Sequence, residues 1–410
     1  MNIQTLSLKH GFEYLPKDIN GRVVNIYNIK SCRITGVNCC YPNALLYSSD
    51  DSQLYLPVNE QTMSLKSKTI YHEHNMIYEY HGIESTGMCE YPVFFFIYNV
   101  ENYYHFLYDS LPILITYFHL KQDIPKIKIM INYPPGKNEF YKFVLETFEL
   151  LGILDDLVIV DKHITYPEVY VSDSYTHNGM SNEPPRTEIY QIYNKLIDEA
   201  LTKHSNVAIY DKIYISRRTW VHNDYSNIGT NYTTRRKLVN EDELVHELTT
   251  SCGVQEIFTE QLTMVEKIKM FYNADMVIGA IGGGLSNVVF SKPNTKLIAM
   301  ISPTFLDVNW RFRYCLSRTN INFMTCTKHV EPGEYKTYMR VKTNTGVVGE
   351  IQEIKGDMLC VSYCKTGGNV GWSSGSLYET MYINKNKVKR LDDGLNSPWG
   401  VDISVILSIV

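Results

Sequence analysis

Two side chains near residue 105 have the types and the spacing of an acid–base pair. His105 and Asp109 stand four residues apart in a segment that the pattern predicts to be helical, so both project from one face. An aspartate that binds one imidazole nitrogen fixes the tautomer and makes the other nitrogen a better proton acceptor. The spacing makes His105 or Asp109 a candidate general base. A helix-surface pair, or a core histidine satisfied by its neighbour, is the alternative that it leaves open.

A glycine run further along the chain has the features of an anion-binding turn. Three adjacent glycines follow an apolar strand and precede a second apolar segment. Glycine lets the backbone approach a phosphate closely, and the N–H groups that open a helix favour an anion. The segment predicts a diphosphate cradle formed by Gly282, Gly283, Gly284, Leu285, Ser286 and Asn287. It matches neither the P-loop pattern nor G-x-G-x-x-G, and a tight turn that needs small residues for packing is the alternative.

Two arginine pairs could supply positive charge to the same anion. Arg217 and Arg218 directly follow a predicted strand, at the end where a parallel sheet presents its ligand. A guanidinium suits a diphosphate because its fork donates in bidentate geometry and stays charged. Arg235 and Arg236 allow the same interpretation, and Arg236 is, like Asn287, a candidate of second rank for donor contact or site support. Solvated surface arginines are the alternative for both pairs.

The hydrophobic pattern places these residues on alternating strands and helices. Residues 93–98 form a continuous apolar run, typical of a strand buried on both faces, and Asn102 is a candidate N-cap for a helix over 103–120. Further strands are predicted at 128–131, 157–160, 169–171, 213–216, 255–258, 276–279 and 296–301, and helices at 138–150, 185–204, 240–250, 262–273 and 285–291. Such alternation implies parallel sheets with helices on both faces, and ligands bind at the carboxyl ends of their strands.

These elements predict an α/β protein with two Rossmann-like lobes that face a cleft. We divide the chain into an irregular, strand-rich N-terminal part of the first lobe (1–90), the rest of the first lobe (91–205), a second lobe (206–334) and a small C-terminal all-β module resembling a barrel (335–410). Short antiparallel strands are predicted in that module at 347–351, 358–363 and 367–372.

Composition excludes several other classes of protein. The chain has 410 residues with 44% apolar and 20% charged side chains, which rules out collagen, coiled coil and wholesale disorder. A formal charge of -5 argues against a generic nucleic-acid binder, and no apolar stretch is long enough to predict a membrane span. The N-terminus lacks the pattern of a secretory signal, so we expect a cytoplasmic protein. Nine cysteines without C-x-x-C spacing predict neither a disulfide framework nor a zinc site.

Four segments, in this order, resemble motifs of glycosyltransferase family 61. Residues 102–109 are similar to its N-x-x-H-x-x-x-D run and residues 214–218 to its strand ending in arginine. Residues 235–241 are similar to R-R-x-[IL]-x-N-E, and residues 279–290 to G-x-H-G-A-G-L-x-N-x-x-F. The resemblance extends over about 90–330. Ile281 stands where the family commonly has histidine and Gly283 where it usually has alanine, so any donor contact made by that histidine is missing.

The resemblance implies a GT-B fold and an inverting transfer of sugar from a nucleotide-sugar donor. The family includes plant xylan arabinosyl- and xylosyltransferases and animal protein O-linked N-acetylglucosaminyltransferases, so a UDP-sugar, such as UDP-xylose or UDP-GlcNAc, is the expected donor and a glycan or glycoprotein hydroxyl the acceptor. His105 or Asp109 would then be the base. Arg217, Arg218 and the glycine amides would stabilise the leaving diphosphate. The chain has no D-x-D pair, so we expect metal-independent activity without a cofactor.

Three other functions compete with this one. A protein that kept the fold but lost the chemistry would bind nucleotide sugars or carbohydrate without transfer, as Ile281 suggests. An interaction scaffold would use the C-terminal module and leave both lobes inert. A nicotinamide-dependent enzyme is disfavoured by the glycine spacing. The sequence does not name the sugar, the acceptor or the oligomeric state.

Overall fold

The computed structural model describes the two central blocks of the chain and parts of both ends. The described residues are 24–35, 85–98, 100–134, 136–176, 185–218, 238–302, 315–316, 318–325, 327–328, 335, 337, 339–364, 378–391 and 399–410, with the backbone of short strands at 3–7, 45–48, 54–57, 62–65, 70–73 and 76–79. Arg235, Arg236 and the strand predicted at 367–372 lie outside them. The α/β class is confirmed, because strands and helices alternate along the two central blocks and form sheets that contain parallel strands.

The strands of the N-terminal half build a mixed sheet. Their bounds are β1 Ile3–Ser7, β2 Asn25–Thr35, β3 Leu45–Ser48, β4 Leu54–Pro57, β5 Thr62–Leu65, β6 Ile70–Glu73, β7 Met76–Glu79, β8 Gly87–Met88, β9 Val93–Phe95, β10 Lys128–Ile131, β11 Leu157–Ile159 and β12 Ile164–Ser172. The order is β11-β10-β9-β12-β2-β3-β4-β5, with β1 beside β2 and β8 beside β12, while β6 and β7 pair separately. Strands β9 to β12 are parallel, and the N-terminal strands extend the sheet in antiparallel pairs.

Strand β9 stands at the centre of the parallel part. Val93, Phe94 and Phe95 are fully buried, which explains the continuous apolar run in the sequence. In chain order the four parallel strands are arranged 3-2-1-4, so the winding of the sheet reverses beside β9. Ligands bind in the crevice outside such a reversal in open α/β sheets. The segment that leaves the carboxyl end of β9 carries the His105–Asp109 pair.

The helix predicted over 103–120 is present, but its pitch changes twice. A π-helical turn, His105–Ser110, leads into a 3₁₀ turn, Leu111–Ile113, and then into helix α1, Leu114–Asp123. The predicted cap is confirmed, because Asn102 Oδ1 accepts from the N–H groups of Tyr104 (3.1 Å) and His105 (3.3 Å). Pro112 explains the change of pitch, since a proline inside an α-helix clashes with the carbonyl four residues earlier.

The second sheet is built by five parallel strands. They are β13 Lys212–Ile215, β14 Gln255–Ile257, β15 Met276–Ala280, β16 Lys296–Ile301 and β17 Asn320–Thr325, in the order β14-β13-β15-β16-β17. The winding reverses between β13 and β15, so this is a second site at which a doubly wound sheet binds ligands. Arg217 follows the carboxyl end of β13 and the glycine run follows that of β15. Two of the sequence-predicted groups therefore flank one crevice.

Helices and two hydrophobic cores hold the sheets together. The helices are α2 Lys142–Leu151, α3 Ile189–Thr202, α4 Glu241–Ser251 and α5 Met264–Asn273, with 3₁₀ turns at Leu154–Asp156, Thr259–Gln261 and Gly284–Phe290. One buried cluster joins both sheets, because it contains Phe94 of β9 as well as Val277 of β15. A second cluster covers the other face of the second sheet and includes Ile278 and Leu244. The segment predicted as a helix at 285–291 is a 3₁₀ helix.

The C-terminal part consists of an antiparallel sheet and a returning segment. The sheet contains β19 Arg340–Thr343, β20 Val348–Lys355, β21 Met358–Cys364, β22 Tyr378–Asn384 and β23 Val388–Arg390, in the order β22-β21-β20-β19-β23, with a 3₁₀ turn at Lys385–Lys387 and a small core of its own. Two short strands, β18 Thr327–Lys328 and β24 Trp399–Gly400, pair with each other. The all-β expectation fails at the end of the chain, where Ile403–Leu407 form helix α6. Trp399, Val401 and Ile406 are apolar and pack into the core of the second sheet.

Candidate active site

His105 and Asp109 form a buried hydrogen-bonded pair inside the π-helical turn. The Nδ1 atom of His105 lies 2.5 Å from Oδ2 of Asp109. Asp109 is fully enclosed, whereas His105 keeps 9% of its surface exposed. Burial raises the pKa of the nearby Cys315 thiol, and the Asp109 charge raises it further. The carboxylate of Asp109 therefore faces the protein interior. The alternative of a helix-surface pair is therefore wrong, because both side chains are buried.

The glycine turn presents backbone donors. The Leu285 amide donates to the carbonyl of Gly282 at 3.1 Å, and the Ser286 amide to the carbonyls of Gly282 and Gly283. The amides of Gly282, Gly283 and Gly284 have no acceptor among the described residues. Within the described part of the chain, three adjacent N–H groups are therefore left for a ligand. The Leu285 and Ser286 amides, which the sequence placed in the cradle, are used inside the turn.

The three glycines differ in how much space surrounds them. A Cβ atom at Gly284 would lie 2.9 Å from Thr259 Oγ1 and 3.0 Å from Ile215 Cγ2, so packing alone requires glycine there. At Gly282 the nearest atoms would be 3.9 Å away, among them the guanidinium carbon of Arg217. The packing alternative thus applies to Gly284, and not to Gly282 or Gly283.

Arg217 lies directly beside this turn. Its Nη1 atom is 3.5 Å from the carbonyl oxygen of Ile281, and its backbone N–H donates to Glu241 at 2.9 Å. Glu241 is buried and also accepts from the Tyr214 hydroxyl, so it fixes the chain where it leaves β13. Burial lowers the pKa of the Arg217 guanidinium, while Glu241 opposes the shift. The structure brings the first predicted arginine to the predicted cradle.

Arg218 is held elsewhere. Its guanidinium makes two hydrogen bonds to Glu256, at 2.9 and 2.7 Å, and one to Asp242 at 2.6 Å. Two carboxylates thus surround a side chain that the sequence assigned to the diphosphate. Arg236, also a sequence-predicted site residue, lies outside the described part of the chain.

Ser286 and Asn287 build the turn from inside. Both are fully buried. The Ser286 hydroxyl donates to the Gly283 carbonyl at 2.5 Å, and the Asn287 amide donates to the Gly284 carbonyl at 2.8 Å. Asn287 Oδ1 accepts from the Tyr103 hydroxyl at 2.5 Å, which ties the turn to the helix that carries His105.

The two winding reversals therefore face each other. A Cβ atom at Gly283 would lie 3.9 Å from Tyr103 Cβ and 4.0 Å from the backbone nitrogen of Tyr104. The segment after β9 thus packs against the glycine turn after β15. Glu146 of α2 adds another link, because it accepts from the N–H of Met264 at the start of α5. The imidazole of one sheet and the amide donors of the other belong to one region of the molecule.

Comparison with known proteins identifies this region. The family model described as Glycosyltransferase 61 matches residues 103–298. That span begins beside His105 and contains Arg217 and the complete glycine turn. Residues 103–298 are therefore similar to glycosyltransferase family 61, and this span is called the family 61 domain. The resemblance of the four sequence motifs is thereby confirmed.

The chain also matches a curated plant enzyme over a short stretch. A Beta-1,2-xylosyltransferase from Arabidopsis thaliana is 25% identical to this chain over 113 residues. The match covers 25% of this chain and 20% of the relative. The chain thus spans about a fifth of the length of the curated relative that it matches.

Two residues of the family 61 domain escaped the sequence interpretation. Tyr103 stands inside the motif that contains His105, but its contacts depend on the second sheet. Lys267 interrupts the buried face of α5, where Met264, Ile268 and Phe271 are apolar. A charged residue in such a stripe is a signal that could have been noticed, because lysine is almost never fully buried without a partner.

The described residues contain neither a membrane-spanning helix nor a cluster of metal-ligating side chains. No helix there is both long and apolar enough to cross a bilayer. Likewise, no group of three or more histidine, cysteine, aspartate or glutamate side chains in this part of the chain could hold a metal ion.

Proposed function

We propose that this chain is an inverting glycosyltransferase of the GT-B type. It would transfer a sugar from a nucleotide-sugar donor, most simply a UDP-sugar such as UDP-xylose or UDP-GlcNAc, to a hydroxyl of a glycan or glycoprotein. The proposal rests on one observation above all: the segment that carries His105 packs against a glycine turn whose three amides are unpaired among the described residues. The similarity of residues 103–298 to family 61 supports the same reaction class.

His105 is the group that we assign as general base. Asp109 is fully enclosed and cannot touch an acceptor, whereas His105 retains some exposure. The 2.5 Å contact between Nδ1 and Asp109 Oδ2 fixes the ring and leaves Nε2 as the atom to accept a proton. Asp109 is then a positioning residue, since it acts on the acceptor only through His105.

The leaving diphosphate is assigned to the second sheet. As the acceptor oxygen attacks the anomeric carbon, the bond from that carbon to the diphosphate oxygen breaks, and the hydroxyl proton passes to His105. Negative charge grows on the departing oxygen, and preorganised donors stabilise such charge strongly where water is excluded. The amides of Gly282, Gly283 and Gly284, together with the Arg217 guanidinium, are the donors placed for it.

Arg218 has a supporting role in this scheme. Its hydrogen bonds to Glu256 and Asp242 anchor the segment directly after β13. Arg217 is the preceding residue in that segment. Asn287 supports the site from within the turn. Arg236 remains a candidate of second rank for donor contacts.

Ligand-induced stabilisation and product analysis together test the proposal. The purified chain is incubated with UDP-, GDP- and CMP-sugars, and its melting temperature is measured, because a ligand that binds only the folded state raises it. Released nucleoside diphosphate and sugar transfer to oligosaccharide acceptors are then quantified with and without EDTA. We expect one donor class to raise the melting temperature and to be consumed in both conditions. Binding without consumption would instead favour a non-catalytic nucleotide-sugar-binding protein.

A further inference from the structure

Lys267 is a buried lysine at the junction of the two sheets. It lies in the first turn of α5 with only 3% of its surface exposed. Among the described residues its ammonium makes no hydrogen bond or ion pair. Instead, Nζ stands 4.6 Å from the centroid of the Tyr103 ring. This is the geometry of a cation–π contact, which is strongest when the cation is desolvated.

The Tyr103 ring in turn contacts three elements at once. Its hydroxyl donates to Asn287 in the 3₁₀ helix after the glycine turn and lies 3.5 Å from Met264 Sδ at the start of α5. Its ring meets the edge of Phe143 on α2, with centroids 5.1 Å apart. Tyr103 is two residues before His105, so a displacement of this ring moves the base relative to the glycine turn.

We infer that Lys267 and Tyr103 are positioning residues for sugar transfer. The Lys267 cation holds the Tyr103 ring, and the ring fixes the separation between His105 and the amides of the glycine turn. The inference rests on the proposed function. A misplacement of about 1 Å between reacting groups can lower a rate by about 100-fold, so a single aromatic contact at this junction is sufficient to matter.

The energetics of the site argue against a purely structural role. A lysine in the first turn of a helix opposes the positive end of the helix dipole, and its burial removes the hydration of a charge. Burial lowers the pKa of the Lys267 ammonium to about 8, although Glu146 and Glu260 favour the charged form. Methionine would fill similar space without this cost. Residues that lower the stability of the folded chain in this way are expected at functional sites.

The test compares Lys267→Met, Lys267→Arg and Tyr103→Phe with the unchanged chain. For Lys267→Met we expect kcat to fall about 10- to 100-fold while the affinity for the nucleoside diphosphate changes less than about 2-fold. Lys267→Arg keeps the cation and should recover most of the loss. Tyr103→Phe keeps the ring but loses the bond to Asn287, and should lower kcat by a smaller factor. Lys269→Met is the matched control, since Lys269 lies on the same helix and, among the described residues, its ammonium donates only to the Lys203 carbonyl.

Two further measurements separate positioning from structural support. The melting temperature of Lys267→Met should rise at neutral pH, whereas loss of a structural contact would lower it. The folded-state pKa, about 8, lies below that of an exposed lysine, about 10.4. The folded chain therefore binds fewer protons than the unfolded chain between these values, so wild-type stability rises with pH there and the gain from methionine shrinks.

The pH dependence of kcat gives the second readout. The groups around Nζ are Glu146 and Lys142 of α2, Glu260 and Tyr103. Loss of the Lys267 proton is the change expected near pH 8. We expect kcat of the wild type to decline above that pH and the decline to move to higher pH in Lys267→Arg.

Each outcome bears on one proposal or on both. Wild-type turnover in Lys267→Met, or in Tyr103→Phe if the first variant does not fold, overturns the positioning role and leaves the proposed function intact. A wild-type chain that transfers no sugar overturns both. Turnover lost in Lys269→Met as well would show that any change on α5 disturbs the site, which also contradicts the inference.

Discussion

The two halves of the candidate site differ in whether their polar groups are paired. After β9, His105 and Asp109 satisfy each other in a buried pair. After β15, three glycine amides stay unpaired among the described residues, and Arg217 stands beside them. A pair that is internally satisfied is suited to moving a proton, whereas unpaired donors are suited to holding an anion. This difference is the reason for which we propose proton transfer at the first sheet and diphosphate binding at the second.

Adjacent residues repeat this contrast within the second sheet. Arg217 is half-buried beside the glycine turn, and Arg218 is surrounded by two carboxylates. Identical side chains in consecutive positions thus have different partners because they leave the strand on different sides. Sequence alone treats the two as equivalent, since only the neighbouring helix and strand supply Asp242 and Glu256.

The largest expected effect comes from removing the proton acceptor. His105→Ala should lower kcat by about 10² to 10⁴, with little change in affinity for the nucleoside diphosphate, because the imidazole belongs to the half that moves the proton. Initial-rate kinetics and calorimetric binding of the diphosphate measure the two quantities. His119→Ala is the matched control, as His119 lies further along the same helical run, in α1. If His105→Ala lost as much affinity for the diphosphate as it lost in kcat, the two sheets would not have the separate roles proposed for them.

An intermediate effect is expected at the arginines. Arg217→Ala should weaken binding of the nucleoside diphosphate by about 10- to 100-fold, since a hydrogen bond to a charged group contributes about 1.5–3 kcal/mol. Arg218→Ala leaves Glu256 and Asp242 without their partner, and we expect a loss of about 1–2 kcal/mol in stability with a smaller change in affinity. Calorimetry and denaturant unfolding measure both variants. The reverse pattern would mean that Arg218 reaches the ligand and Arg217 supports it.

Much of the fold was predictable because its local signals agree with its tertiary structure. The buried run at Val93 and the capped helix after Asn102 follow from hydrophobic pattern and capping chemistry. The antiparallel extension of the first sheet and the closing helix Ile403–Leu407 were not predicted, because short segments carry too little periodicity. The π-helical turn was also missed, although Pro112 marks the place where an α-helix must change.

The sequence pointed to the residues of the candidate site but not to their contacts. His105, Arg217 and the glycines have distinctive types and positions at strand ends, which is why sequence found them. The Tyr103–Asn287 hydrogen bond joins residues 184 positions apart, and no local pattern reports such a contact. Asn287 was expected as a second-rank group for donor contact or site support, and the geometry gives it bonds to Tyr103 and to the Gly284 carbonyl.

The C-terminal segment that follows the antiparallel sheet is hydrogen-bonded to the second sheet's side of the site, through Asn240 and Val401. Asn240 donates to the Val401 carbonyl at 2.8 Å and accepts from the Val401 N–H at 3.1 Å. It directly precedes Glu241, which fixes the backbone of Arg217. Truncation before the antiparallel sheet would therefore remove the contact that supports the site as well as the sheet itself. Excision of the sheet with 399–410 retained is the cleaner way to ask whether it has an independent function.

The smallest expected effects come from the glycines and sharpen the comparison within one turn. Gly284→Ala places a Cβ 2.9 Å from Thr259 Oγ1, so we expect a loss of about 1–3 kcal/mol in stability from overpacking. Gly282→Ala meets nothing closer than 3.9 Å, so its stability should stay within about 0.5 kcal/mol of wild type. Its methyl group would nevertheless stand beside the Arg217 guanidinium, where the diphosphate is proposed to bind. Weaker diphosphate binding in Gly282→Ala, measured by calorimetry alongside denaturant unfolding, would separate the ligand-facing glycine from the packing one. Equal affinity in Gly282→Ala and wild type would mean that the backbone at this position does not approach the ligand.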